Sequence, residues 1–140
     1  MDAFDADVLI YAAVPGHPLG RRVAALFPHD QVGQSTHVGM GSVLLLPELL
    51  AKPLRDGDAA SVRALNGLLS RLDLRPVDRA TALLATILGA RYKLRAADAI
   101  HLATAVNMGA TRFITNNRRD FSASIKEIDV VYPDSLTALR

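Results

Sequence analysis

The chain has 140 residues, half of them apolar, enough for one continuous core and too few for two ordinary domains. It has no cysteine, which excludes a disulfide frame and a thiolate metal site. Sixteen Lys and Arg against 14 Asp and Glu leave a charge of +2, too weak to predict nucleic-acid binding by itself; the acidic start MDAFDAD and the lack of any apolar run near ~18 residues lead us to expect a soluble, cytoplasmic protein.

In chain order, residues 3–7 of AFDADVLIYAA read as a strand, although two carboxylates, Asp5 and Asp7, interrupt the apolar run. Residues 18–27 follow as a helix between Pro15-Gly16 and Pro28. Residues 31–35 read as a second strand, 38–52 as a leucine-rich helix, and 58–72 as a helix introduced by Asp56-Gly57. A short strand at 74–77, helices at 79–92 and 97–107, a closing Gly109, and strands at 112–115 and 128–132 complete the pattern. This alternation predicts a single α/β domain over 1–140, a mostly parallel sheet of about five strands covered by helices on both faces. Ligand sites in such sheets lie at the carboxyl ends of strands, where Asp5 and Asp7 stand at one end and Thr115, Asn116 and Asn117 at another.

Each candidate residue has an ordinary structural role to compete with. Asp5 is placed to project a carboxylate into a crevice, or to cap a following turn, while Asp7 is better placed to cap a helix starting at Val8. Glu48, in LLLPELL, is one of two glutamates in the chain; it is costly to bury unless paired, protonated or cation-bound, and ordinary if its helix turns it to water. Asp98, in AADAIHLATA, suits the first turn of a helix whose small residues allow close packing, and His101 lies one turn on, within reach of Asp98. In RFITNNRRDF a strand runs into a polar turn carrying Thr115, Asn117, Arg118, Arg119 and Asp120. Thirteen of the 16 basic residues are arginine, the better fork for phosphate, although a solvated pair is the plainer role for Arg118 and Arg119.

Taken in order, the four segments resemble the PIN domain, the nuclease fold of VapC-type toxins in bacterial toxin–antitoxin pairs. FDADVLIYA is similar to the family's D-x-N-x-L-I opening, LLLPELL to its helix with a single Glu, AADAIHLATA to D-A-x-x-A-x-A, and FITNNRRDF to T-x-N-x-x-D-F. The resemblance implies a three-layer α/β/α fold and a metal-dependent endoribonuclease. Asp5, Glu48 and Asp98 would be its metal-binding, catalytic carboxylates, with Thr115 orienting the site. Many members carry T-x-D where this chain has Asn117; Asp120, three residues on, then supplies the fourth acid. Asp7 replaces the usual Asn or Ser and joins Thr115 and Asn117 around the site, and Arg118 and Arg119 would contact RNA phosphate. Carboxylates crowded into one crevice repel, and Mg²⁺ or Mn²⁺ relieves that repulsion with all-oxygen ligands. An antitoxin partner and a homodimer are implied by resemblance alone.

D-x-D-x-L after a strand also looks like the opening of haloacid dehalogenase-like phosphatases, with Asp5 as nucleophile, but no lysine followed by a paired-acid motif comes after Thr115. Response-regulator receivers need a lysine at the end of a late strand, whereas Lys126 precedes the last one. The remaining alternative is a PIN-like fold with a decayed site, serving as an RNA- or protein-binding module, which Asn117 permits.

Overall fold

The computed structural model describes residues 1–28 and 37–137. Its elements are β1 (Asp2–Phe4), α1 (Ala6–Ala13), α2 (Pro18–Ala24), β2 (Gly39–Ser42), α3 (Leu45–Arg55), α4 (Ala59–Leu69), β3 (Leu72–Arg75), α5 (Arg79–Tyr92), α6 (Ala96–Asn107), β4 (Arg112–Ile114) and β5 (Asp129–Val131), with a 3₁₀ turn at Pro133–Ser135. The five strands form one parallel sheet in the order β3-β2-β1-β4-β5.

Both faces of the sheet are covered, because successive strand residues point to opposite sides. Ala3, Met40, Phe113 and Val130 meet Ala85 and Leu88 of α5 and Ala99 and Leu102 of α6. Phe4, Ile114 and Leu72 face the other way, against apolar residues of α1 to α4 such as Val8, Val23, Leu45 and Leu65. The result is the expected three-layer α/β/α arrangement.

β1 lies between β2 and β4, so the chain winds outward from it in both directions. It is the switch point where open parallel sheets place their crevice. Phe4 pairs in register with Ile114, which sets Asp5 and Thr115 side by side at the carboxyl edge, and the Asp5 amide donates to the Ile114 carbonyl at 3.0 Å.

Several element limits differ from expectation, among them the helix expected at 18–27, which ends at Ala24. The expected strand at 3–7 stops at Phe4, because the Asp5 side chain accepts from the Ala6 amide at 2.8 Å and starts α1. The helix expected from 38 begins at Leu45, and Gly39–Ser42 is a strand instead. Side chains here would collide: a Cβ on Gly39 would lie 2.5 Å from Phe4 Cε2, and one on Gly41 would lie 2.5 Å from Leu45 Cδ1. The helix expected at 58–72 ends at Leu69, and β3 starts two residues ahead of the expected 74–77. The strand expected at 31–35 lies outside the described residues.

Candidate active site

Asp5 follows β1 and is 6% exposed. One carboxylate oxygen caps α1, and the other accepts from the buried Thr115 hydroxyl at 2.8 Å. Thr115 Oγ1 also accepts from the Asn117 amide at 3.1 Å, so one hydroxyl ties the end of β1 to the turn after β4. Burial raises the Asp5 pKa, against the Thr115 hydrogen bond and the charge of His101, and Glu48 adds to the rise.

Asp7, in the first turn of α1, accepts from the Val8 amide at 2.7 Å and, with its second oxygen, from the Asn116 amide at 3.0 Å. Burial first and the Asp5 charge second push its pKa up to about 6. The two N-terminal acids therefore both cap α1, and both also hold the turn after β4.

Asp98 sits in the first turn of α6, half-buried. Burial raises its pKa, followed by the charges of Asp5 and Asp120. Asp120 is held by a reciprocal pair: Asn117 Nδ2 donates to Asp120 Oδ2 at 3.0 Å, and the Asp120 amide donates to Asn117 Oδ1 at 3.2 Å. Asn117 thus occupies the position of the expected acid and supports the carboxylate three residues on.

Glu48, in α3, hydrogen-bonds through Oε1 to His101 Nε2 of α6. His101 was expected to reach Asp98 one turn away; it turns to Glu48 because its ring lies in the core, with a side-chain exposure of 1% against 37% for Glu48. Burial works to lower the His101 pKa, but the Glu48 hydrogen bond and charge, with Asp5 and Asp98 behind them, outweigh it and raise it. Its Nδ1 is buried with no hydrogen-bond partner among the described residues, and an unsatisfied group of this kind costs about 1–3 kcal/mol.

The fold therefore brings Asp98 into electrostatic range of Asp5, Glu48 and Asp120, and Asp5 into range of Glu48, from four separate segments, with Asp7, Thr115 and Asn117 near them. Among the described residues no three of the acids and histidines are drawn together as a ready-made cation cage. The donor set nonetheless suits a hard divalent ion: it is all oxygen, and acids whose pKa values are raised by burial first and by neighbouring acids after it are stabilised by a nearby cation.

Arg118 is not directed into this crevice. Its guanidinium lies 4.1 Å over the Tyr132 ring and donates to Asp134. Arg119 is exposed and makes no ion pair among the described residues. Tyr11, which was not singled out in the sequence, lines the site: it is one turn beyond Asp7 on α1, stacks on His17 with ring centroids 4.6 Å apart, and accepts weakly from Asn116 Nδ2 at 3.5 Å. Its i, i+4 spacing from Asp7 signals this only once residues 6–13 are known to be helical.

A groove of about 370 Å³ lies elsewhere, between the end of α3 and α4; its one acid, Asp58, is occupied in capping α4 through Ser61. A smaller groove of about 240 Å³ runs from Glu48 past Ile10, Leu49 and Pro53.

Fold and crevice define a three-layer α/β/α protein with an acidic site at its switch point. The family model of the PIN domain matches residues 3–126, and the chain belongs to that family. Among solved structures, a toxin–antitoxin complex from Klebsiella pneumoniae is similar at 24% identity with a TM-score of 0.72, over 95% of this chain and 98% of that one. VapBC2 from Rickettsia felis, bound to a DNA fragment from its promoter, is similar at 14% identity with a TM-score of 0.70, over 94% and 97%. FitAB bound to the IR36 DNA fragment is similar at 18% identity with a TM-score of 0.67, over the full length of both chains. Comparison with curated proteins gave no match.

Proposed function

We propose that the chain is a metal-dependent endoribonuclease that hydrolyses RNA phosphodiester bonds and serves as the toxin of a toxin–antitoxin pair. The observation that supports this reading is that Asp98 lies in electrostatic range of Asp5, Glu48 and Asp120, acids from distant parts of the sequence, in a chain of the PIN-domain family. The toxin–antitoxin part rests on likeness to complexes of that kind.

In this reading Asp5, Glu48, Asp98 and Asp120 hold Mg²⁺ or Mn²⁺. An ion held there would supply Lewis acidity to activate water and offset phosphate charge. The chain's own residues fix the geometry. Thr115 holds one Asp5 oxygen, Asn117 holds Asp120, and Asp7 anchors the backbone of the turn that carries both. Arg119 is the better placed of the two arginines for substrate phosphate, and Arg118 would join it only by leaving Asp134. Single-stranded or loop RNA is the accessible substrate. Exposed Leu83 and Ile87, one turn apart on α5, offer apolar surface for a homodimer.

The test is cleavage of total RNA with mapped ends, comparing wild type with Asp5→Asn. We expect Mn²⁺-dependent cuts that vanish in the variant and in EDTA. No cleavage by wild type with either metal, together with no cation-induced rise in Tm, would instead favour a binding module with a decayed site.

A further inference from the structure

We propose that His101 is a positioning residue for Glu48, fixing that carboxylate so that its second oxygen faces the crevice. This rests on the reading of Glu48 as a metal ligand.

The argument starts from what each group is able to do. An ionised Glu carboxylate only accepts hydrogen bonds, so His101 must donate from Nε2. That leaves the buried Nδ1 without a partner among the described residues, in a stretch of α6 where Ala99, Leu102, Ala103 and Ala105 make an apolar core. An apolar side chain would suit this position better for folding alone, so the imidazole does something there that packing does not require.

Glu48 supplies that purpose. It stands on α3, 53 residues away in sequence, partly in water on a long and freely rotating side chain. The buried ring does not move with solvent, and it holds Oε1. Oε2 makes no hydrogen bond among the described residues, which leaves it as the donor atom for a cation. The same helix presents Asp98 one turn earlier, so α6 contributes one acid directly and sets a second one through His101. Carboxylates around a bound ion are commonly fixed by such outer hydrogen bonds, whose loss weakens metal affinity about 10–100-fold.

The experiment is Mn²⁺ binding to the purified full chain by calorimetry, with Tm in EDTA recorded for every variant. His101→Leu removes the donor and the orphaned nitrogen. We expect its metal-free Tm to equal or exceed that of wild type while Mn²⁺ affinity falls about tenfold or more. His101→Gln, whose amide places an N–H near the Nε2 position, should recover most of the affinity, which a purely structural role would not predict. In a Glu48→Gln background, His101→Leu should cost nothing further.

Wild-type Mn²⁺ affinity in His101→Leu, alongside lost affinity in Glu48→Gln, would overturn the positioning role and leave Glu48 as a ligand. Unchanged affinity in both would overturn the ligand role of Glu48 and the positioning role with it. Should the leucine variant not fold, imidazole ¹⁵N spectra of wild type and Glu48→Gln decide the matter. The Nε2-protonated signal of His101 should move on saturation with Mg²⁺ in wild type and stay still in the variant. A signal indifferent to Mg²⁺ in wild type would sink the proposal.

Discussion

At Asp7, burial and the neighbouring Asp5 charge move the carboxyl from an ordinary 3.8 up to about 6, so the folded chain holds a proton there that the unfolded chain has already released. Below about pH 4 both states are protonated and the group is neutral in its effect on stability. As pH rises towards 6 the unfolded state ionises first, so stability falls, and above that the whole penalty persists. It is on the order of 2 kcal/mol after allowance for the part of the side chain still in water. Asp7→Asn removes the charge but keeps only one of the two acceptors that bind Val8 and Asn116, a loss of about 1 kcal/mol. We therefore expect Asp7→Asn to melt a few degrees above wild type at pH 7.5 in EDTA, with the gain gone by pH 4. A difference that does not change with pH would show that Asp7 is not under this electrostatic load. Both N-terminal acids were legible as cap or site residues in the sequence, and the structure gives each of them both jobs. The partner of His101 was not legible, because local spacing offers only Asp98, and Glu48 becomes a neighbour only when α3 and α6 pack.

At the scale of elements, the packing of α2 on α1 includes one very close backbone approach. A Cβ on Gly20 would stand 2.0 Å from the Tyr11 carbonyl oxygen, which belongs to the backbone of α1 and has little room to yield. Gly20→Ala must push α2 away from the helix that Asp5 caps. We expect a cost of about 1–3 kcal/mol, seen as a fall in urea midpoint and Tm. Gly67→Ala on α4 is the matching control, since its Cβ would meet nothing within 4 Å; there the alanine should stabilise by up to about 1 kcal/mol. Equal effects at the two positions would refute the packing argument. Helices α4 to α6 were readable because their ends are written locally: Asp58 and Asp78 cap through Ser61 and Thr81, and Gly109 follows α6 at φ 71°. β2 was not, because Gly-Met-Gly-Ser lacks the branched and aromatic residues that mark strands, and its glycines answer to Phe4 and Leu45 from other elements.

Over the whole molecule, a chain of net charge +2 concentrates carboxylates at one edge of its sheet, and cation binding should therefore couple both to stability and to protons. An ion that binds only the folded state stabilises it by about 2.7 kcal/mol at a hundredfold excess over Kd, which for a chain of this size raises Tm by several degrees. Asp5 and Asp98 both have raised pKa values, from burial first, so a cation competes with protons that these acids hold to higher pH than a free carboxyl does. Apparent Mn²⁺ affinity should accordingly rise with pH, with proton release detectable when the titration is repeated in buffers of different ionisation enthalpy. Asp5→Asn and Asp98→Asn should each lose the Mn²⁺-induced rise in Tm, whereas Asp56→Asn, an exposed acid paired with Lys52, should keep it. A pH-independent affinity, or a rise in Tm that survives both crevice substitutions, would place the cation somewhere other than the carboxyl edge of β1 and β4.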